Sequence, residues 1–136
     1  MKYPIEKVPL IFLTIKNDYI QRINRPGYDD KIGTDEFVEI RAALINNLRP
    51  FCSWAECGAL FNKDHTSAIN AVKKHDTYIQ SSRSYTEIYH PIATQVIEEY
   101  VDAIRVSQMS PMDLSNETLR NTIKQLQDEL DRRENV

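Results

Sequence analysis

The chain has 136 residues, a formal net charge of −3, two cysteines and only three glycines. This length suits one domain with at most an appended element. Two cysteines without a His or Cys cluster nearby exclude a disulfide framework and a zinc site. The sequence has no signal-peptide pattern and no apolar run of membrane-spanning length. It therefore predicts a soluble, cytoplasmic protein with no membrane partner.

Charge is unevenly distributed along the chain. Residues 49–83 carry five basic and three acidic side chains, whereas residues 84–136 carry five basic and ten acidic ones. The acidic total argues against a generic nucleic-acid coat. The small local excess of positive charge in residues 49–83 is compatible with DNA binding of modest electrostatic affinity.

Scarce glycine and apolar residues at helical spacing predict an all-α fold. A first helix is predicted over residues 9–24, with Pro9 in its first turn. A second is predicted from Thr34, its N-cap, to about residue 49, where Pro50 ends it.

Two short helices are predicted next. Ser53 and Glu56 have capping-box spacing, which predicts a helix over 54–61. Another helix is predicted from Asp64 to about residue 80. Two short helices joined by a tight turn form a helix-turn-helix, predicted here over about 53–80.

The carboxyl-terminal part has a second capping box, Ser84 with Glu87, which predicts a helix that Pro91 kinks or divides and that reaches about residue 106. The helical domain is therefore expected to span 1–106, and residues 107–114 are expected to form a linker.

A carboxyl-terminal amphipathic helix is predicted over 115–136. Its apolar residues have the 4-3-4 spacing of a coiled-coil seam and are Leu119, Ile123, Leu126 and Leu130. Two interpretations stay open: the seam forms a homodimer, or the helix folds back on its own domain.

The predicted helix over 64–80 has two unlike faces. At 100° per residue, polar and basic side chains share an arc of about 120°; they are Thr66, Ser67, Asn70, Lys73, Lys74 and Thr77, with Lys63 over the same arc. Apolar residues fall opposite, at Ala68, Val72 and Ile79. Short hydroxyls, an amide and lysines suit a DNA major groove, although an ordinary solvated face is the alternative.

The same segment carries a specific motif. Its core is Lys63-Asp64-His65-Thr66-Ser67, preceded by Glu56-Cys57-Gly58-Ala59-Leu60-Phe61 and followed by Ala71-Val72-Lys73-Lys74. This arrangement, over roughly residues 38–80, resembles the helix-turn-helix of the DNA-binding domain of DnaA, the bacterial chromosomal replication initiator family.

The resemblance implies double-stranded DNA as the partner and assigns roles to five residues. Asp64, His65 and Thr66 would contact base edges, and Lys63 and Ser67 would contact phosphate or the flanking base. The polar face of the helix adds three further predicted DNA contacts, Asn70, Lys73 and Lys74.

For some residues of this segment, a role in the fold is an alternative to a role in DNA binding. Asp64 also suits an N-cap, His65 also suits a core position, and His75 is expected to pack rather than to contact DNA. The resemblance further implies that Gly58 permits close helix packing and that Phe61 fills the core beneath the turn.

The chain also departs from that family. The turn is one residue shorter than in many members, with Asn62 where a glycine pair is common. The family's basic loop, which sends an arginine into the minor groove, has no clear counterpart; the candidates are Arg22, Arg25, Lys31, Arg41 and Arg49. No phosphate-binding Gly-x4-Gly-Lys motif occurs, so no nucleotide partner is expected.

No catalytic set, metal site or cofactor motif is found, so an enzyme is not expected. The favoured function is sequence-specific DNA binding at the nucleoid, as a regulatory or accessory replication protein of a phage or mobile element. Two alternatives stay open: a helical protein-interaction module and the DNA-binding subunit of a transposition system.

Overall fold

The structure is a computed structural model that describes residues 3–109 and 124–130. Within these ranges the fold is all-α, without a strand, as predicted. Residues 124–130 are helical, and within residues 3–109 a 3-10 turn at Ile5–Lys7 precedes six α-helices and one π-helix. They are α1 (Leu10–Ile23), α2 (Asp35–Leu48), α3 (Trp54–Ala59), α4 (His65–Lys73), α5 (His75–Ser81), the π-helix (Tyr85–Tyr89) and α6 (His90–Gln108).

The core is organised around α2, which packs against α4, α5 and the π-helix. The side chains of Ile40, Leu44 and Leu48 are all fully buried. Burial of each such side chain contributes about 1.5–3 kcal/mol to folding. From α1, the buried Tyr19 hydroxyl donates a hydrogen bond to the carbonyl of Ile40 at 2.6 Å, which ties α1 to α2.

Of two predicted caps, one position is confirmed and the other is wrong. Thr34 is the N-cap residue of α2 and has extended backbone, although its side chain makes no cap hydrogen bond. Ser84 already has helical backbone and also makes none. The cap comes from Ser82 instead, whose Oγ accepts a hydrogen bond from the Tyr85 amide at 3.2 Å. Glu87, assigned to the Ser84 capping box, pairs with Arg83.

The predicted break at Pro91 takes the form of a wider helical turn. The π-helix at Tyr85–Tyr89 comes just before it, and the amide of His90 bonds to the carbonyl of Tyr85. A proline ring collides with the carbonyl four residues earlier in a regular α-helix. The wider π turn relieves that collision, so the chain continues into α6.

A polar cluster joins α2 to the residues around the π-helix. The Tyr85 hydroxyl lies 2.6 Å from His75 Nδ1, and the rings of His75 and His90 lie 5.0 Å apart. His75 thus has the packing role expected for it. Asn47 Nδ2 donates to the carbonyl of Ala43 at 2.8 Å, which fixes the orientation of this amide. The same nitrogen lies 3.2 Å from His90 Nδ1, so that ring nitrogen accepts a hydrogen bond.

This cluster predicts a loss of stability in mild acid. Burial lowers the pKa of His90 from 6.5, and the nearby His75 lowers it further. The folded protein therefore binds fewer protons at His90 than the unfolded chain, so stability is fully present above the unfolded pKa and falls as the pH drops through it. We expect the urea midpoint to fall more between about pH 7.5 and about pH 5.5 in the wild type than in His90→Asn. Parallel pH profiles for the two proteins would contradict this role of His90.

The chain divides into two units, Met1–Tyr100 and Val101–Val136. In the second unit, residues 124–130 are helical, Leu126 is half-buried and Leu130 is 56% exposed. The predicted linker over 107–114 is wrong at residues 107 and 108, which belong to α6. Its residues 110–114, and Leu119 and Ile123 of the predicted seam, lie outside the described residues. Among the described residues, no helix has the length and apolar character needed to span a membrane.

Candidate nucleic-acid interface

Helix α3 begins with the predicted capping box. The amide of Glu56 donates to Ser53 Oγ at 3.1 Å, and the amide of Ser53 donates to Glu56 Oε1 at 3.0 Å. These reciprocal bonds satisfy two amides that the first turn of a helix leaves without partners. They fix the start of a helix of only six residues.

A tight turn joins α3 to α4. Phe61 is buried beneath it, with 1% of its surface exposed. Asn62 has φ of 56°, a left-handed conformation that Asn tolerates better than most residues. The amide of Lys63 donates to the carbonyl of Gly58 at 2.9 Å, which closes the turn.

Gly58 lies against the start of α4. A Cβ atom at this position would lie 2.2 Å from the Asp64 carbonyl oxygen and 3.0 Å from that of Lys63. Only glycine fits without moving the backbone of the turn. The expectation that Gly58 permits close packing is therefore confirmed, and the distance between α3 and α4 depends on it.

Asp64 is the N-cap of α4, as its alternative role predicted. Its Oδ1 accepts hydrogen bonds from the amide of Ser67 at 3.1 Å and from Ser67 Oγ at 3.4 Å. The backbone hydrogen bond from Ser67 favours the ionised carboxylate and lowers the pKa of Asp64. Asp64 thus sets where the helix begins and how the residues after it are oriented.

Most of the predicted contact residues are exposed. Lys63 is half-buried, and the other seven are exposed: Asp64, His65, Thr66, Ser67, Asn70, Lys73 and Lys74. The alternative of a core position for His65 is wrong. We call the exposed polar side of α4, formed by Thr66, Ser67, Asn70, Lys73 and Lys74, the α4 face.

The opposite side of α4 is only partly as predicted. Ala68 is fully buried and Val72 is half-buried, but Ile79 is 37% exposed. The single helix predicted over 64–80 is divided, because Lys74 ends α4 and α5 begins at His75. Ile79 therefore belongs to a separate helix.

The three lysines at α4 belong to the described cations that have no carboxylate partner. Among the described residues, Lys63, Lys73 and Lys74 make no ion pair. Five of the ten other described cations pair with carboxylates, in the pairs Lys16–Asp30, Arg22–Asp18, Arg22–Glu99, Arg25–Glu36, Arg83–Glu87 and Arg105–Asp102. Positive charge at α4 is thus left for a partner.

Four of the five minor-groove candidates are occupied within the protein. Arg22 and Arg25 are ion-paired. Arg41 is buried and donates to the carbonyl of Ile32 at 2.9 Å. Arg49 lies 3.9 Å from the centre of the Trp54 ring and donates to the carbonyl of Cys52 at 2.7 Å. Lys31, in the loop before α2, is exposed and makes no ion pair within the described residues.

A cleft of about 300 Å³ lies between α2 and α4. Its walls include Val38, Arg41, Ala42 and Ile45 from α2, Gly58 and Phe61, and Ser67, Asn70, Ala71 and Lys74 from α4. Lys63 and Tyr78 also border it. The α4 face therefore continues inwards into a cavity with an apolar floor.

This cleft was not predicted from the sequence. A signal was present, because Ser67, Ala71, Lys74 and Tyr78 recur at 4-3-4 spacing and so would share one side of the single helix predicted over 64–80. Helical spacing alone does not show that α2 leaves a gap opposite that side.

No group of three or more His, Cys, Asp or Glu side chains within the described ranges is arranged to hold a metal ion. Cys52 and Cys57 are buried free thiols. Comparison of the chain with protein-family models, curated proteins and solved structures finds no match.

Proposed function

We propose that the chain binds double-stranded DNA in a sequence-specific way, with α4 as the helix that enters the major groove. The observation that carries this proposal is the α4 face. It is exposed and combines short polar side chains with two lysines, and these lysines lack carboxylate partners within the described residues. The resemblance of residues 63–67 to the replication-initiator motif supports it.

The dimensions of α4 suit this role. An α-helix with its side chains is about 10–12 Å across, which fits the major-groove width of about 12 Å, and α4 has nine residues. The first turn carries His65 and Thr66, both exposed. In helix-turn-helix proteins the amino-terminal residues of the inserted helix contact base edges.

The positions of the charged residues in α4 suit a separation between base recognition and phosphate contacts. Lys73 and Lys74 lie at its carboxyl-terminal end, away from the first turn. Long flexible ammonium groups neutralise phosphates without reading sequence. We assign base recognition to His65, Thr66 and Asn70, and phosphate contacts to the lysines.

Asp64 has a smaller part in base recognition than the resemblance implies. Its Oδ1 is occupied by Ser67. A capping carboxylate so close to the DNA also repels phosphate. We therefore assign Asp64 the task of positioning His65 and Thr66, which follow it directly in the chain.

The role in the cell that we propose is regulatory or accessory, in replication or transcription of a phage or mobile element. A gel shift of the chain with a pool of random duplexes at moderate salt tests the biochemical step. A retarded band that salt weakens supports the proposal. Absence of any band at low salt would contradict it and favour the protein-interaction module.

We also propose that the chain forms a homodimer through the carboxyl-terminal seam, as its heptad spacing predicts. A dimer would bind two half-sites in a fixed arrangement. Leu126→Asp should then halve the mass measured by light scattering, because it places a charge in the seam. Gln125→Asp is the control, since Gln125 lies outside the seam spacing. A full-length chain that is monomeric at tens of micromolar would contradict the dimer.

A further inference from the structure

We propose that the cleft between α2 and α4 is a binding site for a small organic anion with an apolar body. The cleft volume of about 300 Å³ is at the lower end of the range for ligand pockets. It corresponds to about ten water molecules at liquid density, so a compact ligand of similar size fits.

Three cations border this cleft, and none has a carboxylate partner within the described residues. Lys63 and Lys74 make no ion pair, and Arg41 donates to the carbonyls of Asp29 at 3.4 Å and Ile32 at 2.9 Å and interacts with the Tyr28 hydroxyl. No Asp or Glu side chain lines the cleft. The site therefore has a positive potential that an anion would offset.

Arg41 makes the strongest case for an anionic ligand. Only 6% of its surface is exposed, so its guanidinium is largely removed from water. A buried charge is costly unless it is paired or well hydrogen-bonded. The two carbonyls and the Tyr28 hydroxyl supply dipoles, and Arg41 makes no ion pair with a carboxylate within the described residues. An anion in the cleft would supply that charge.

The floor of the cleft selects for an apolar body. Val38, Ala42, Ile45, Phe61 and Ala71 present hydrocarbon to the cavity. A fully hydrated anion such as inorganic phosphate would leave these side chains without contacts. An aromatic or branched aliphatic carboxylate would cover them and place its carboxylate near Lys63 or Lys74.

An anion bound in the cleft would compete with DNA for residues of the α4 face. Ser67, Asn70 and Lys74 belong to both the cleft wall and the α4 face. A bound anion would engage Lys74 and lower the positive charge that DNA meets. This competition rests on the proposed DNA binding, whereas the binding of the anion itself does not.

The test uses two matched probes, phenylacetate and its neutral analogue phenylacetamide. Each is titrated into the isotope-labelled full chain, and backbone amide shifts are followed by NMR. We expect saturable shifts at Val38, Ile45 and Ala71 with phenylacetate, and a dissociation constant about tenfold higher for phenylacetamide, because a hydrogen bond to a charged group is lost. Equal affinity for the two probes, or shifts scattered outside the cleft, would overturn the proposal.

Two variants on neighbouring positions sharpen the result. Lys74→Gln removes a cation from the cleft rim, whereas Lys73→Gln removes an equally exposed cation that does not line it. We expect about tenfold weaker phenylacetate binding in the first variant only. Equal binding by Lys74→Gln and the wild type would assign the anion to another site.

A second titration separates this proposal from the proposed function. Phenylacetate at about ten times its dissociation constant should weaken DNA binding about tenfold by competition. If the NMR titration succeeds and the chain binds no DNA, the proposed function fails and the anion site stands. If the chain binds DNA with unchanged affinity in saturating phenylacetate, the competition is wrong.

Discussion

Replacement of Gly58 by alanine is expected to destabilise the protein by about 1–3 kcal/mol, and replacement by valine by more. The added Cβ would lie 2.2 Å from the Asp64 carbonyl oxygen, a backbone atom that cannot rotate away. At an open helix position the same change to alanine would instead stabilise the helix by about 0.5–1 kcal/mol. The sign of the change in unfolding free energy, measured in urea, therefore shows whether Gly58 is packed against α4 or lies at an open helix position.

Gly33→Ala is the matched control for this prediction. A Cβ atom at Gly33 would meet nothing within 4 Å, and its φ lies outside the left-handed range. We expect a change between zero and a stabilisation of about 1 kcal/mol, because the unfolded chain becomes less flexible. If Gly58→Ala unfolds at the same urea concentration as Gly33→Ala, α3 and α4 are not in close contact.

Substitution of Gly58 should reduce the affinity for DNA more than it reduces the stability of the fold. Asp64 is the N-cap of α4, and its carbonyl oxygen is the atom that a Cβ at residue 58 would clash with. Relief of that collision moves the start of α4, and with it His65 and Thr66. Gly58→Val should therefore lose specific binding under conditions in which circular dichroism still shows a folded protein. Wild-type affinity in a folded Gly58→Val protein would contradict the placement of α4 in the groove.

Alanine substitutions along α4 should separate into two classes. His65→Ala and Thr66→Ala should each cost about 1–3 kcal/mol at the preferred site and much less on other duplexes. Lys73→Ala and Lys74→Ala should weaken binding to all duplexes alike and lower the salt slope by about one. Fluorescence anisotropy on a preferred and a scrambled duplex, at several salt concentrations, measures both quantities. Equal losses on both duplexes for all four variants would rule out base recognition by the first turn.

The helices could be predicted from the sequence because their signals are local. Ser53 and Glu56 form their capping box within four residues, and Asp64 caps α4 in the same way. Apolar spacing was enough to predict α1 and α2 to within a few residues. These features depend little on the rest of the fold.

Some features could not be predicted from one local pattern. Ser84 has the spacing of a cap, but Ser82 is the residue with extended backbone and takes that role. In the polar cluster, Tyr85 and His90 contact Asn46 and Asn47 of α2, which are far away in sequence. No local pattern could show these contacts.

The candidate site was predictable in part for the same reason. The exposure of Thr66, Asn70 and Lys73 follows from helical periodicity and was predicted. The burial of Arg41 was not, because it depends on two carbonyls in the loop before α2. Its position removes Arg41 from the minor-groove candidates and places it in the cleft.

Selection of binding sites from a random duplex pool, followed by sequencing and by anisotropy on the enriched site, tests the central claim most directly. We expect one shared motif, bound at least about a thousandfold more tightly than a scrambled duplex at physiological salt. Thr66→Ala should lose most of that ratio, whereas Lys73→Ala should keep it. A pool without an enriched motif, or an equal affinity for enriched and scrambled duplexes, would contradict sequence-specific DNA binding through α4.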